Sequence, residues 1–209
     1  MIKVELRIKL NLSYFRRMPL DNVIAQFQEL FPNLSDDDIG ALLGIIKIVN
    51  YDKDDFFIRE GDRKPLIGIV LQGIIRGYYI TDAGQEMTPF FWEEGLITGS
   101  WETLYLNQPS ALHFQAIVPT TLAVVDYYNF KKLAQQRPNI QSAYIQMVEI
   151  ILTNTLLHQQ SYINEKPERR YELFLENNPS LVERISQKHL ASHLGITPIS
   201  LSRMKSRRK

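Results

Sequence analysis

The central part of the chain has the hydrophobic pattern of an antiparallel β-structure. Between Lys47 and Asp126, short runs rich in β-branched and aromatic residues are separated by turn residues, as at Gly61, Gly73 and Gly84. The runs are Ile48–Tyr51, Phe56–Ile58, Ile67–Leu71, Ile74–Ile80, Met87–Trp92, His113–Val118 and Leu122–Val125. Short strands at a spacing of roughly 8–12 residues predict a sandwich, a roll or a barrel.

The hydrophobic period becomes helical after Pro138 and stays so until about Glu165. One apolar stripe comprises Ile140, Tyr144, Met147 and Ile151, and a neighbouring stripe comprises Ile145, Val148, Leu152 and Leu156. Two stripes require two surfaces for burial, one on the β-structure and one elsewhere. A helix of this length fits a parallel dimer seam, to which we assign the first stripe. The alternative is a helix that packs wholly within its own subunit.

The segment from Ile185 to Lys205 has the pattern of a helix-turn-helix. Ser186 is placed to cap a first helix, Gly195 supplies a tight turn, and Thr197 caps a second helix. The inward positions are apolar: Leu190, Ala191, Leu194, Leu201 and Met204. The outward positions of the second helix are Ile199, Ser200, Ser202, Arg203, Ser206 and Arg207. A largely polar outward face predicts a recognition helix, and a plain helical hairpin is the alternative.

Composition excludes several classes of protein. The 209 residues are 44% hydrophobic and include no cysteine, so disulfides, thiolate zinc sites, cysteine nucleophiles and cysteine-ligated clusters are excluded. No run approaches the 18 apolar residues of a membrane span. The segment Met1–Leu12 is not predicted to be a signal peptide, because charged residues interrupt its apolar pattern. We therefore expect a cytoplasmic protein with no membrane partner.

Charge is distributed unevenly along the chain. Residues 184–209 contain seven lysines and arginines and no acidic residue, whereas the preceding 183 residues contain 17 basic and 23 acidic side chains. A basic end on an acidic body predicts a polyanionic partner, and we expect double-stranded DNA. Arg203 is expected to read guanine, whose O6 and N7 atoms match its guanidinium. The other residues expected at the DNA are Lys188, Thr197, Ile199, Ser202, Arg207 and Arg208.

Taken together, Gly61, Gly73, Gly95 and the terminal Ser186–Arg203 motif resemble the Crp–Fnr family of transcription regulators. The sequences Leu-Gly-Ile-Thr-Pro and Leu-Ser-Arg resemble a compact subgroup common in Bacteroidetes. The resemblance implies an α+β fold with an N-terminal antiparallel β-roll of the jelly-roll, cyclic-nucleotide-binding-like type. It also implies a long dimerisation helix and a C-terminal helix-turn-helix. The corresponding domains are an N-terminal extension (1–18), the β-roll with flanking helices (19–138), the dimerisation helix (139–166) and the DNA-binding domain (167–209).

The predicted ligand pocket departs from this family. In members that bind cyclic AMP, a Gly-Glu pair binds the ribose and an Arg-Ser or Arg-Thr pair binds the phosphate. An ungapped match after Gly95 puts Gly99 and Ser100 at the first pair and Ser110 and Ala111 at the second. Losing two charge-assisted hydrogen bonds, at roughly 1.5–3 kcal/mol each, weakens binding by roughly 10²–10⁴-fold. The roll is then either purely structural or responsive to another small-molecule effector.

The sequence does not favour an enzyme. A metal-binding jelly roll of the cupin type needs a His-x-His pair, but His113 is the single histidine of the predicted roll. His189 and His193 lie four residues apart on one helix face, without the adjacent glutamate of a catalytic zinc motif. We expect no catalytic residue, no metal and no cofactor.

Two functions therefore follow from the sequence. The first is a ligand-responsive transcription regulator that binds promoter DNA as a homodimer and does not respond to cyclic AMP. The alternative is a ligand-binding or protein-interaction roll whose degenerate helix-turn-helix does not bind DNA.

Overall fold

The computed structural model of the protein describes residues 32–207. The predicted extension 1–18 and the predicted DNA contact Arg208 lie outside these residues. The β-roll comprises α1 (Asp36–Leu43), β1 (Lys47–Tyr51), β2 (Phe56–Ile58), β3 (Leu66–Gln72), β4 (Ile75–Ile80), β5 (Glu86–Trp92), β6 (Ile97–Thr98), a π-helix (Glu102–Leu106), β7 (His113–Ala116), β8 (Thr120–Asp126) and α2 (Tyr127–Gln136). The long helix α3 (Pro138–Asn164) and a helical region follow, formed by α4 (Pro167–Asn177), α5 (Pro179–Val182), α6 (Gln187–His193) and α7 (Pro198–Ser206).

The strands form two antiparallel sheets that face each other. One sheet has the order β1-β8-β3-β6 and the other has the order β2-β7-β4-β5. Strands distant in sequence are therefore neighbours, as Val49 is opposite Leu122 in the first sheet. The predicted α+β fold with an antiparallel β-roll is confirmed. The short strand β6 was not predicted, because two residues are too few to show alternation.

Aromatic rings fill part of the space between the sheets. The ring of Trp92 stacks on that of Phe114, with centroids 5.2 Å apart. A Cβ atom on Gly77 would lie 2.7 Å from the Trp92 ring, so a side chain there would displace the indole. The rest of this core is aliphatic and aromatic, and includes Phe57, Ile58, Val70, Ile75, Leu122 and Val124.

A buried carboxylate connects α1 to the start of α3. Asp38 completes a capping box with Ser35, whose hydroxyl accepts from the backbone N–H of Asp38 at 3.2 Å. The same carboxylate accepts hydrogen bonds from Arg137 at 3.1 Å and from Asn139 at 3.0 Å. Hydrogen bonds from Asn139 and Ser35 hold the pKa of Asp38 far below its usual range. These bonds hold the first turn of α3 against the roll.

The orientation of α3 corrects the predicted dimer seam. Ile140 is buried against Leu42 and Ala134, and Tyr144 packs on the cluster that contains Ile67. Met147 lines the same space between α3 and the first sheet. Ile140, Tyr144 and Met147 of the first stripe therefore face their own roll, on the side of α3 whose start is bonded to Asp38.

The neighbouring stripe of α3 is the exposed one. Ile145, Leu152 and Leu156 are 51%, 56% and 55% exposed. Ile151 is partly buried, between the two faces. The chain thus leaves this apolar stripe of α3 half exposed.

The C-terminal helices share a hydrophobic core with the roll. Ile74 and Ile117 of the roll lie in one buried cluster with Leu190 of α6 and Leu201 of α7. Further buried members of this cluster are Tyr171, Phe174, Leu181, Ile185, Ala191, Leu194 and Met204. The helical region and the roll thus bury apolar surface against each other.

Truncating the roll's side of the shared core should destabilise the whole chain. We expect Ile74→Ala to lower the free energy of unfolding by about 2–5 kcal/mol, because Ile74 is fully buried. The matched control is Ile80→Ala. Ile80 is the exposed last residue of β4, the strand that begins directly after Ile74, and its truncation should change the free energy of unfolding by less than about 0.5 kcal/mol. Chemical denaturation followed by circular dichroism measures both. Equal stabilities for the two variants would contradict the shared core.

Candidate functional site

Local sequence chemistry sets the geometry of α6 and α7. The hydroxyl of Ser186 accepts from the backbone N–H of His189 at 3.1 Å and caps α6. Gly195 has a φ angle of +67°, a left-handed conformation that favours glycine, and it turns the chain after α6. The hydroxyl of Thr197 then accepts from the N–H of Ser200 at 3.1 Å, which caps α7 directly before Pro198. The two helices have the caps and the turn that the sequence predicted.

One face of α7 packs inward and the other is exposed. Leu201 and Met204 are buried in the shared core. Ile199 is 66% exposed, and Ser202, Arg203 and Arg207 are also exposed. Thr197 is exposed as well, although its hydroxyl serves as the cap. The predicted DNA-contacting residues on and beside α7 therefore lie together on one accessible surface.

Lys188 is in a different situation from these residues. Its Nζ atom lies 3.1 Å from Oε1 of Glu86, at the start of β5. The second oxygen of Glu86 forms an ion pair with the buried Arg76 at 2.6 Å. Lys188 is thus held by the roll, a contact that sequence could not reveal because 102 residues separate the partners.

A second ion pair connects the helical region to the roll. Arg184 donates to Glu94 at 2.6 Å and lies 3.6 Å from Glu93, which also accepts from Ser180 at 2.7 Å. Burial is the largest single influence on Glu94 and acts to raise its pKa, but the hydrogen bonds from Arg184 and from backbone N–H groups, together with the charge of Arg184, outweigh it, so that the pKa is lowered. At Glu93 burial dominates and the pKa is raised. Two of the cations counted in the basic end, Arg184 and Lys188, therefore face carboxylates of the same chain.

His193 lies where α6, the roll and α3 meet. Its Nδ1 atom is 2.9 Å from the carbonyl oxygen of Thr88, and its ring centroid lies 5.0 Å from that of Phe174 and 5.3 Å from that of His158. Burial lowers the pKa of His193 to about 4. Burial likewise lowers the pKa of His189 to about 4. Within residues 32–207, no group of three or more candidate ligands is placed to hold a metal ion.

These two histidines should make stability depend on pH. Their folded pKa values of about 4 lie below the ordinary 6.5, so the unfolded chain binds protons more readily between pH 6.5 and pH 4. The free energy of unfolding should be fully present above about pH 6.5 and fall as the pH drops, by at most about 1.4 kcal/mol per pH unit and histidine. Urea denaturation at pH 7.5, 6.5 and 5.5 measures this slope.

The control for this slope is His193→Gln, which cannot titrate and keeps a hydrogen-bonding group. The slope between pH 6.5 and pH 5.5 should become shallower in this variant, with the contributions of His189 and of His158, whose pKa burial also lowers, left. A wild-type stability that stays level or rises as the pH falls through this window would contradict buried neutral histidines.

Residues 95–111, which contain the predicted ligand pocket and are called the cassette, form several local hydrogen bonds. Gly95 has a φ angle of +83°, and its N–H donates to the carbonyl of Val70 at 2.8 Å. The hydroxyl of Ser100, fully buried, donates to the carboxylate of Glu102 at 2.6 Å. The buried hydroxyl of Ser110 donates to the carbonyl of Leu112 at 2.8 Å. Both serine hydroxyls therefore have partners within the cassette region.

The remaining cassette positions are glycine and alanine. A Cβ atom on Gly99 would lie 2.8 Å from the backbone carbonyl oxygen of Leu66, so the chain approaches β3 closely there. Ala111 is exposed. Neither position offers a charged group to a cyclic phosphate.

A separate apolar cavity of about 60 Å³ lies between α1, α3 and the outer face of the first sheet. Its walls include Leu34, Leu42, Ile97, Ile140 and Met147. None of the predicted pocket residues lines it. The cavity provides apolar surface beside α3 but no charged group.

Comparison with known proteins identifies the roll. Residues 48–137 match the family model of the cyclic nucleotide-binding domain. The c-di-GMP responsive global regulator CLP of Xanthomonas campestris has a similar structure, with a TM-score of 0.68 and 16% identity over 83% of this chain and 91% of that chain. For FixK2 of Bradyrhizobium japonicum the TM-score is 0.63 and the identity 19%, over 78% and 84% of the two chains. For the catabolite activator protein of Thermus thermophilus the TM-score is 0.53 and the sequence identity is 18%, over 85% of each chain.

At these identities the structural likeness establishes the fold. The region that matches the cyclic nucleotide-binding model is the β-roll described above, and the long helix and C-terminal helices extend the likeness beyond it. No curated protein sequence matches the chain significantly. In the part of the chain that the structure describes, no helix combines the length and apolarity needed to cross a membrane.

Proposed function

We propose that this protein is a ligand-responsive transcription regulator of the Crp–Fnr type, which binds promoter DNA as a homodimer in the cytoplasm. The observation that carries the proposal is the capped α6–turn–α7 unit, which buries Leu201 and exposes Arg203 beside it. In this order of elements, the cyclic nucleotide-binding-like roll would bind the effector, α3 would connect it to the C-terminal helices, and the α6–turn–α7 unit would bind DNA. The same proposal includes the compact subgroup to which the motifs around Gly195 point, and it includes no catalytic activity.

On DNA, α7 is proposed to enter the major groove. Arg203 reads guanine through its O6 and N7 atoms, and the exposed Ile199 contacts a thymine methyl group. Thr197 and Ser202 border this surface. Arg207 and Arg208 neutralise phosphates, and Lys188 joins them when it exchanges Glu86 for a phosphate.

The homodimer is proposed to form through the exposed stripe of α3, namely Ile145, Leu152 and Leu156. This assignment replaces the first stripe, of which Ile140, Tyr144 and Met147 pack on their own roll. A two-fold dimer presents two copies of α7 to successive major grooves, so the half-sites should lie about 34 Å apart on a palindrome.

The effector is proposed to be a small molecule other than cyclic AMP. Ser100 and Ser110 carry no charge, and their hydroxyls already have partners. Thr98, in strand β6 of the first sheet, has a buried hydroxyl without a partner among the described residues. A neutral polar group on an effector would satisfy that hydroxyl, whereas Ser100 and Ser110 offer a cyclic phosphate no counter-charge.

Base reading and phosphate binding should separate in two variants. We expect Arg203→Ala to weaken binding to the specific site by about 1–3 kcal/mol and to leave binding to random DNA nearly unchanged. The matched control is Arg207→Ala, from the same exposed surface, which should weaken binding to both DNAs alike. It should also flatten the salt dependence by nearly one unit of slope. Fluorescence anisotropy with DNA from upstream of the protein's own gene measures both.

Equal losses on specific and random DNA would make Arg203 a phosphate contact rather than a base reader. Failure to bind any DNA fragment above background at low salt would instead overturn the regulator and favour the alternative. That alternative is a ligand-binding or protein-interaction roll with a degenerate helix-turn-helix. The engagement of Arg184 and Lys188 by carboxylates of the roll is the observation in its favour.

Cyclic nucleotides should bind poorly. Subtracting two charge-assisted hydrogen bonds from an ordinary micromolar site gives dissociation constants above about 100 μM for cyclic AMP and cyclic GMP. Isothermal titration calorimetry measures these constants directly. A low-micromolar constant for either nucleotide would refute the assignment of Ser100 and Ser110 to the charged positions.

A further inference from the structure

The joint between α3 and the C-terminal helices is a short extended segment. Glu165 and Lys166 separate the end of α3 from the start of α4 at Pro167, and their backbones are extended, with ψ angles of 143° and 155°. The residue before a proline is disfavoured in the helical conformation, so the helical backbone is interrupted here. The angle between α3 and the helices that follow must therefore be set by contacts of side chains.

Arg170, near the start of α4, bridges this joint. The Nη1 atom of its guanidinium donates to the carbonyl oxygen of Glu165 at 2.8 Å and to that of Tyr162 at 3.4 Å. The Nη2 atom donates to the carbonyl oxygen of Leu194 at 2.7 Å. Because Leu194 directly follows the last residue of α6, one side chain binds the C-terminal ends of both α3 and α6. The last carbonyl groups of a helix lack helical partners and carry a partial negative charge, which a guanidinium satisfies.

The last turn of α3 also contacts the turn between α6 and α7. The guanidinium of Arg170 lies over the ring of Tyr162, with its Cζ atom 4.6 Å from the ring centroid. A Cβ atom on Gly195 would collide with the hydroxyl of Tyr162. The close approach of α3 therefore requires glycine at this position, in addition to the positive φ angle. The end of α3 is thus packed directly on the α6–turn–α7 unit.

The chemistry of Arg170 makes this contact directional. A guanidinium is planar and its donors form a rigid fork, so the carbonyl groups that it binds are held at fixed angles to one another. Hydrogen bonds weaken steeply when their donors turn away from the acceptor. The hydrophobic packing of the shared core is by contrast non-directional. Arg170 is therefore suited to fix the angle between the two helix ends, and not only their distance.

We propose that Arg170 is a positioning residue that fixes the angle between α3 and the α6–turn–α7 unit, and that it thereby determines which half-site spacing the protein accepts on DNA. The inference rests on the DNA-binding homodimer of the proposed function and adds a determinant of its specificity. In a dimer, an angle that is fixed in each chain becomes a fixed separation and rotation between the two copies of α7. A spacer changed by one base pair moves a half-site by about 3.4 Å and rotates it by about 35°, which a rigid joint does not follow.

Binding to palindromes of different spacing tests the specificity. The DNAs carry the half-site that the wild type selects from random sequences, with spacers of the best length and of one base pair fewer or more. The wild type should bind the best spacing about tenfold or more tightly than the other two, a difference comparable to one mismatched base pair. Arg170→Ala should lower this ratio several-fold, because the released joint follows either spacing. Fluorescence anisotropy measures the affinities.

The matched control is Arg169→Ala. Arg169 is the neighbouring cation of the same helix, and its ion pairs are with Glu172 and Glu176 of that helix. Its removal changes the charge of the chain as Arg170→Ala does but leaves the joint bonded. Arg169→Ala should therefore keep the wild-type ratio between spacings.

A distance measurement without DNA tests the angle by itself. The chain has no cysteine, so Asn154→Cys on α3 and Ser206→Cys on α7 supply two thiols for spin labels, both at exposed positions. Labelled chains diluted with unlabelled protein report, by pulsed electron paramagnetic resonance, distances within one chain. The distribution of distances should be narrow with Arg170 in place and broader in Arg170→Ala, and Arg169→Ala should leave it narrow.

Arg170→Lys is the second variant, in case the alanine variant does not fold. Lysine keeps the positive charge and the aliphatic stem but has no planar fork. It should lower the ratio between spacings and broaden the distances in the same direction as alanine. Circular dichroism checks that each variant is folded.

The outcomes separate this inference from the proposed function. A folded Arg170 variant that loses affinity for every spacing by the same factor overturns the inference, because a merely structural role has that result. A distance distribution that stays narrow overturns it too, as does a wild type that binds all three spacings equally, while the regulator stands. A wild type that binds no DNA overturns the proposed function and the spacing role together, and the label distances then decide whether Arg170 fixes the angle.

Discussion

The burial of roll and helical side chains in one core is the constraint on which the rest of this structure depends. The helices α4 to α7 are short, and segments of this size bury too little apolar surface to be stable alone. Ile74 and Ile117 supply part of the missing core from the roll. Because Leu201 packs into the same cluster, the direction in which α7 presents Arg203 is fixed relative to the roll rather than to the helical region alone.

Polar contacts then give this packing its orientation. Arg184 binds Glu94 at the turn before β6, Lys188 binds Glu86 at the start of β5, and His193 contacts Thr88 within that strand. Each contact connects a residue of α6 or its approach to β5 or the adjoining turn. A displacement of β5 therefore has a direct physical route to the unit proposed to bind DNA, through packed side chains and charge-assisted hydrogen bonds. The same contacts occupy two cations that a phosphate backbone would otherwise attract.

Sequence reasoning succeeded where local chemistry decides the structure. The caps at Ser186 and Thr197 and the left-handed turn at Gly195 are set by residues within a few positions, so α6 and α7 lie where the pattern predicted. The strands followed for the same reason, since alternation and turn glycines are short-range signals. The sequence did not predict features that depend on contacts between residues far apart in the chain. The two stripes of α3 are both apolar, and the one that faces the roll is distinguished by contacts with distant residues, namely the burial of Ile140 beside Leu42 and the bonds from Asp38 to the start of α3.

The same limit applies to the site. The ion pair of Lys188 with Glu86 and the π-helix that exposes Leu106 depend on contacts that neither the hydrophobic period nor the spacing of residues predicts.

The central claim is that two copies of α7 bind DNA as a symmetric pair, and selection of bound duplexes from a random library tests it most directly. The account predicts enrichment of a palindrome with half-sites about 10–10.5 base pairs apart, centre to centre. Enrichment of no sequence, or of a single site without two-fold symmetry, would contradict it.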